Sequence, residues 1–135
     1  MAYLVIDTDV ASLLQKRRVP EGLAAALVGN TLCVTFVTVG ELAKWAHVRN
    51  WGPRNRDALD RWLRQVVVLP YDVEVARVWG ALAGAAQQRG RPRPVNDSWV
   101  AACCIHAGLP LATLNEKDFA DFAEHDGLRL VQQVP

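Results

Sequence analysis

The sequence has few cysteines, no long apolar run and almost no net charge, and each absence excludes a class of protein. Three cysteines in 135 residues do not form a disulfide framework, so we expect reduced, buried thiols. Cys103 and Cys104 are adjacent in an apolar stretch and lack a second Cys or His pair at zinc-ligand spacing. The sequence therefore argues against both a secreted disulfide scaffold and a structural zinc site.

The signals of export and membrane insertion are also missing. No stretch approaches the roughly 20 apolar residues of a transmembrane helix. The opening segment, MAYLVID, carries no basic region and reaches an acidic residue at once, unlike a signal peptide. We therefore expect a cytoplasmic protein without a membrane partner.

The charge is nearly balanced overall but unevenly distributed. A net charge of +1 leaves no global field to attract nucleic acid. Two segments are nevertheless basic, VRNWGPRNR and QRGRPRP, and the second contains Arg89, Arg91 and Arg93. A basic loop permits an anionic ligand without requiring one, and the ordinary alternative is a solvated loop.

The length and the 51% apolar content indicate one packed domain over 1–135. The hydrophobic patterns predict strands alternating with helices, with Thr38 as the N-cap and Glu41 as the capping-box acid of the third helix. The strands are expected at 3–6, 31–37, 66–70, 110–113 and 128–131, and the helices at 9–17, 20–29, 39–51, 56–65, 73–89 and 97–107. This alternation predicts an α/β fold whose mainly parallel sheet of four to five strands is covered on both sides.

Acidic residues follow several of the predicted strands. Asp7 ends the first strand, Glu41 lies in the first turn of the helix after the second, and Asp97 opens a later helix. Asn115 and Asp118 follow the fourth strand. Binding sites in open α/β sheets lie beyond the carboxyl ends of the strands, so four carboxylates are expected at one edge.

Each of these acids also has an ordinary explanation, because acidic residues cap helices and stabilise their first turns. Taken together, crowded carboxylates repel one another unless a cation compensates them. Hard oxygen ligands suit Mg²⁺ or Mn²⁺, and such a site can promote hydrolysis of a phosphodiester. The pattern therefore favours metal-assisted phosphodiester hydrolysis, although spacing alone does not establish it.

Four motifs in order resemble those of the PIN-domain ribonucleases, and among them the VapC-type toxins of toxin–antitoxin pairs. They are VIDTDV, VTVGEL, NDSWVAA and TLNEKDF, and they extend from one end of the chain to the other. The resemblance implies a three-layer α/β/α sandwich and an endoribonuclease dependent on Mg²⁺ or Mn²⁺. It also implies an RNA substrate, a VapB-like antitoxin, and a homodimer or a toxin–antitoxin hetero-oligomer.

The resemblance also suggests residue roles. Asp7, Glu41 and Asp97 correspond to the acidic site, with Asp7 and Asp97 as metal ligands. This sequence has Asn115 where the family places its fourth acid, so Asp118 is assigned to supply that charge. The polar residues expected to support the site are Thr8, Asp9, Asn96, Thr113 and Asn115.

Two partner surfaces follow from the same resemblance. Arg89, Arg91 and Arg93 precede Asp97 and are expected to contact the RNA backbone. The antitoxin is expected to cover the first helices and the Trp-bearing helix. Its candidate contacts are Leu13, Leu14, Trp45 and Trp51, although Leu and aromatic residues at helical spacing are more often core positions.

Two alternatives stay open on the sequence. One is a phosphoacceptor receiver domain, whose site would use Asp7, Asp9, Asp72, Thr113 and Lys117. That interpretation leaves Glu41 and Asp97 without a role. In addition, Lys117 precedes the predicted fifth strand, whereas a receiver domain has this lysine after it. A catalytically inactive PIN-like RNA-binding module is the other alternative, because an amide stands at position 115.

Overall fold

The structure is a computed structural model and describes residues 2–133. Positions 1, 134 and 135 of the predicted single domain lie outside the described residues. The elements in chain order are β1 (Tyr3–Ile6), α1 (Thr8–Gln15), α2 (Glu21–Leu27), β2 (Thr31–Thr35), α3 (Phe36–Val48), α4 (Pro53–Leu63), β3 (Val67–Leu69), α5 (Val73–Gln88), α6 (Val95–Ala107), β4 (Leu111–Ala112) and α7 (Glu116–His125).

The four strands form one parallel sheet in the order β3-β2-β1-β4, which confirms the predicted α/β fold. The predicted fifth strand at 128–131 is wrong, because this segment makes only an isolated parallel bridge between Leu111 and Leu130. The backbone hydrogen bonds of that bridge all involve Leu111. β4 is two residues long, so it offers too little edge for a longer ladder.

Helices cover both faces of the sheet. Successive residues of β1 point to opposite faces, so they contribute to two separate cores. Val5 faces a core built with α5, α6 and α7, which includes Phe119 and Phe122. Leu4 and Ile6 face a second core built with α1 to α4. A buried central strand with helices on each side is the three-layer arrangement that the family resemblance implied.

The boundary between β2 and α3 differs from the prediction in a way that matters for the site. The strand ends at Thr35, whose hydroxyl accepts a 3.4 Å hydrogen bond from the Thr38 amide and caps α3. Thr38 is therefore inside the helix, fully buried, and the predicted Thr38–Glu41 capping box is wrong. The β-branched residues at 37–39 favour a strand locally, but packing of α3 against the sheet decides otherwise.

The sequence patterns missed α7 entirely, although its signals are present. Glu116 and Asp118 lie in its first turn, Asn115 precedes it, and Phe119 and Phe122 share its buried face. The start of α4 was also placed too late, since Pro53 is its first residue. Proline is favoured there because the first helical N–H needs no partner.

The remaining expectations about composition are met within the described residues. All three cysteines are free and buried, and burial raises the pKa of Cys103 to about 11, so this thiol stays protonated. None of the helices between residues 2 and 133 combines the length and the apolar character that crossing a membrane requires.

Candidate active site

Asp7 stands between the end of β1 and the start of α1, and it is 7% exposed. One carboxylate oxygen accepts a 3.0 Å hydrogen bond from the Val10 amide, so Asp7 caps α1 as the ordinary explanation predicted. The other oxygen accepts a 2.5 Å hydrogen bond from the Thr113 hydroxyl, just beyond β4. Burial raises the pKa of Asp7, the two hydrogen bonds lower it, and the charges of Asp9 and Glu41 raise it further.

Glu41 reaches the same place from the second turn of α3, not from its first turn as predicted. The Thr8 hydroxyl donates a 2.7 Å hydrogen bond to its carboxylate. Thr38 lies 2.9 Å from the same Thr8 oxygen, and it must donate, because the single Thr8 proton goes to Glu41. A two-hydroxyl relay therefore fixes the Glu41 carboxylate beside Asp7.

Asp97 lies in the first turn of α6 and is partly buried. Burial is the main cause that raises its pKa to about 6, followed by the negative charges of Asp118, Asp7 and Glu41. Arg93 lowers this pKa but does not reverse the shift. Asp118, Asp7 and Glu41 therefore lie close enough to Asp97 for their charges to disfavour its ionised form.

The fourth position is shared between two residues. Asp118 lies in the first turn of α7, and its negative charge raises the pKa of Asp97. Asn115 precedes α7, and its side-chain amide donates a 2.8 Å hydrogen bond to the Asp9 carboxylate. Asn115 therefore does not take the place of a carboxylate in the site. Its backbone N–H donates to the Thr113 hydroxyl at 3.0 Å, so Asn115 ties the start of α7 to the end of β4.

These side chains line one small cleft of about 80 Å³. We call it the acidic cleft, and the residues that line it are Asp7, Thr8, Asp9, Glu41, Asp97, Val100, Asn115, Asp118 and Phe119. Its donors are hard carboxylate oxygens held in a partly apolar setting, which is the donor set that Mg²⁺ or Mn²⁺ prefers.

Among the described residues, Asp121, Glu124 and His125 form a group whose potential metal-ligand atoms all lie within 4.8 Å of one another. The carboxylates of the acidic cleft do not form such a group. The cleft carboxylates are therefore spread more widely than a closed cage. A closed cage of protein ligands is not required for Mg²⁺, which is commonly held by one or two carboxylates while water and substrate fill the other positions.

Several predicted residues lie outside the acidic cleft. Asn96 is exposed and faces a neighbouring groove. Arg89 makes a 3.0 Å ion pair with the buried Asp121, so its guanidinium is already engaged by the protein. Arg91 is exposed, and Arg93 is the one arginine of the three whose charge acts on Asp97.

The receiver alternative is not supported by the positions of its key residues. Asp72 is exposed, caps α5 through the Val75 amide at 2.8 Å, and does not line the acidic cleft. Lys117 is exposed on α7 and likewise does not line it. Without a lysine and an acceptor aspartate at the cleft, a phosphoacceptor site is incomplete.

The sequence patterns missed two kinds of contributor. The sequence predicts Thr38 to be a helix cap, whereas in the structure it supports Glu41 through Thr8. Val100 and Phe119 form the apolar part of the cleft wall. The helical spacing of Val100 from Asp97 and the position of Phe119 next to Asp118 were signals that could have identified them.

Comparison with known proteins agrees with this geometry. The family model described as the PIN domain matches residues 4–125. Ribonuclease VapC5 of Mycobacterium tuberculosis is 30% identical over an alignment of 136 positions, which covers 96% of this chain and 93% of that protein. Ribonuclease VapC1 of Haemophilus influenzae is 28% identical over 122 residues, which cover 88% of this chain and 90% of that protein.

Solved structures show the same fold. A chain of VapBC-1 from nontypeable Haemophilus influenzae superposes with a TM-score of 0.80 at 25% identity, covering 98% of both chains. DNA-bound VapBC from Salmonella typhimurium gives a TM-score of 0.77 at 24% identity, covering 96% of this chain and 97% of that one. The chain therefore belongs to the PIN-domain family and is related over nearly its whole length to the VapC ribonucleases of VapBC toxin–antitoxin systems.

Proposed function

We propose that this chain is a metal-dependent endoribonuclease of the VapC type and the toxin of a toxin–antitoxin pair. The observation that carries the proposal is the acidic cleft, where five carboxylates from four separate segments converge and no cationic side chain among residues 2–133 belongs to the lining. Such an arrangement costs stability unless a ligand repays it, which is typical of a functional site. Membership of the PIN family supplies the reaction class.

The roles of the carboxylates follow from their surroundings. Asp7 and Asp97 are the proposed ligands of Mg²⁺, with Mn²⁺ as an alternative ion, because both line the acidic cleft, Asp7 buried and Asp97 partly buried. A bound divalent ion would supply the positive charge that stabilises a phosphodiester during hydrolysis. Glu41 and Asp118 border the same space and are proposed to orient the attacking water.

The polar neighbours keep these carboxylates in position. The Val10 amide and the Thr113 hydroxyl each donate to one oxygen of Asp7, and Thr8 donates to one oxygen of Glu41. A carboxylate oxygen that accepts one hydrogen bond keeps a second lone pair, so both side chains can still bind a ligand. Asn115 restrains Asp9 at the rim of the cleft. This arrangement reduces the reorganisation needed when substrate binds, which is the main contribution a preorganised site makes to rate.

The RNA backbone is proposed to pass over the segment at 89–94. Arg91 and Arg93 are the candidate phosphate contacts, because Arg91 is exposed and Arg93 lies near Asp97. Arg89 is a structural residue in this proposal, since it is paired with Asp121.

A VapB-like antitoxin is the proposed protein partner. A groove of about 320 Å³ runs between α1, α3 and α4, and its lining includes Gln15, Lys16, Arg49 and Trp51. A cationic rim over an apolar floor suits a peptide that carries both acidic and apolar side chains. Relatives solved as VapBC complexes are consistent with such a partner.

The deciding experiment is cleavage of purified cellular RNA by the purified protein in Mg²⁺ or Mn²⁺, with EDTA as the metal-free control. Asp97→Asn should abolish cleavage. Asp72→Asn is the matched control, because Asp72 is an exposed acid outside the cleft and asparagine caps helices equally well. If the wild type and Asp97→Asn cleave equally, or if neither cleaves any RNA, the nuclease proposal fails and an inactive binding module is the better description.

A further inference from the structure

A second groove lies beside the acidic cleft, between α3 and the first turns of α6, and has a volume of about 420 Å³. We call it the aromatic groove. Six residues form most of its wall: Phe36, Gly40, Lys44, Val95, Asn96 and Trp99. Glu41 borders both the aromatic groove and the acidic cleft, so the two spaces are adjacent.

The groove has a rigid aromatic wall. Trp99 stacks on Trp79 with ring centroids 4.8 Å apart and planes 8° apart. Phe36 meets Trp99 edge-on at 5.9 Å, and Tyr71 meets both rings in the same way at 5.9 and 6.2 Å. Because each ring is held by others, the two aromatic side chains that face the groove are fixed before any ligand binds.

Gly40 keeps the groove open. It lies in the interior of α3, where glycine lowers helix stability relative to alanine. A Cβ at this position would meet nothing within 4 Å, chain neighbours and the helix backbone aside, so close packing does not require glycine here. The missing side chain instead leaves room between Phe36 and Lys44.

The polar groups of the groove match a nucleotide. The Asn96 side chain can donate and accept hydrogen bonds at the edge of a base, and it is exposed at the groove wall. Within residues 2–133 the Lys44 side chain makes no ion pair or hydrogen bond, so its ammonium is available for a phosphate. Val95 is 60% exposed although it is apolar, which leaves a hydrophobic contact unfilled.

We propose that the aromatic groove binds the nucleobase next to the scissile phosphate and so selects the cleavage site. This inference rests on the proposed nuclease function. The acidic cleft, at about 80 Å³, has room for an ion and phosphate oxygens, whereas the groove falls in the usual size range of small-ligand pockets, roughly 300–1,000 Å³. Unpaired RNA bases are commonly recognised by aromatic side chains together with hydrogen bonds to their edges.

The test compares Gly40→Leu with Gly84→Leu. Gly84 is an exposed glycine inside α5 whose Cβ would also meet nothing within 4 Å, so both changes improve helix propensity but only the first fills the groove. Cleavage sites are mapped on an RNA pool of randomised sequence. We expect Gly84→Leu to keep the wild-type preference, and Gly40→Leu to lose it by about fivefold or more.

Asn96→Ala is the second variant, and it should relax the preference for one base without abolishing cleavage. Binding of short fluorescein-labelled RNA homopolymers to Asp97→Asn protein gives a readout independent of turnover, and there too Gly40→Leu should weaken the discrimination between homopolymers. If Gly40→Leu and Asn96→Ala keep the wild-type preference while the wild type cleaves RNA, the groove proposal fails and the nuclease proposal stands. If Gly40→Leu changes the molecular mass in solution without changing the preference, the groove is an interface between copies of this chain and the proposal is overturned.

Discussion

Asp7 and Asp121 are equally buried, each 7% exposed, yet their carboxyl groups behave in opposite ways. Asp121 accepts a 3.0 Å hydrogen bond from Arg89, and this contact is the main cause that lowers its pKa. Asp7 accepts hydrogen bonds only from neutral donors, and burial with acidic neighbours raises its pKa. Burial alone therefore does not decide the state of a carboxylate in this fold.

The difference separates a structural acid from a functional one. At Asp121 the chain supplies its own cation and completes an ion pair that joins α7 to the end of α5. At Asp7 the chain supplies four more acids instead, so the compensating charge has to come from a ligand. Asp118 and Asp121 are three residues apart on α7, and one belongs to each environment.

The largest expected effect tests this separation directly. Asp7→Asn should lower kcat/KM for RNA by about 100-fold or more, because several kcal/mol of charge stabilisation depend on the metal ligands. Asp121→Asn should change the rate by less than about threefold, since Asp121 does not line the cleft. Steady-state cleavage of one RNA by both variants measures the contrast, and equal losses would remove the distinction.

Metal binding should stabilise the protein through the cleft. Mg²⁺ at about 100 times its Kd should raise the free energy of unfolding by about 2.7 kcal/mol. Thermal unfolding with and without Mg²⁺ measures the gain at pH 7. Asp97→Asn should lose most of it, while Asp121→Asn should keep it. A gain that disappears only in Asp121→Asn would place the ion at Asp121, Glu124 and His125 instead.

Removing Arg89, the cation that pairs with Asp121, should lower the stability of the protein and leave its activity nearly unchanged. Arg89→Met keeps the apolar stem but leaves Asp121 buried without its partner, so we expect a loss of about 1–3 kcal/mol in unfolding free energy. RNA cleavage at saturating Mg²⁺ should be nearly unchanged at a temperature where the variant is folded. Urea unfolding and the cleavage assay on the same preparation report the two effects, and a rate loss without destabilisation would assign Arg89 to RNA binding.

The smallest effect is the pH dependence of the metal-free protein. Since the pKa of Asp97 is about 6 in the folded chain and its ordinary value is 3.8, the folded state binds the extra proton. Stability should therefore rise as the pH falls from about 7 to 5. Asp97→Asn should show a smaller rise, whereas Asp121→Asn should match the wild type, because the lowered pKa of Asp121 acts only at more acidic pH. A falling melting temperature over this range in EDTA would contradict the raised pKa.

Much of the fold could be predicted because it depends on local patterns. The apolar run of β1 and the first-turn position of Asp97 are visible in the sequence, and the four strands were each expected close to their observed positions. The limit of β2 could not be predicted, since its β-branched residues favour a longer strand until α3 packs on the sheet. The extent of the last strand was equally beyond local patterns, because it depends on how much edge β4 offers.

The candidate site divides in the same way. The identities of Asp7, Glu41, Asp97 and Asp118 follow from motifs and from the rule that parallel strands end at one edge. The sequence by itself identified these four acids, because each stands in a short local motif next to a predicted strand or helix. Only the tertiary structure decided which groups meet across 106 residues, as Thr113 meets Asp7 and Asn115 meets Asp9, and which buried acid receives an arginine. These contacts depend on how distant segments pack, because packing determines at the same time which groups are buried, which charges lie close together and which hydrogen bonds form.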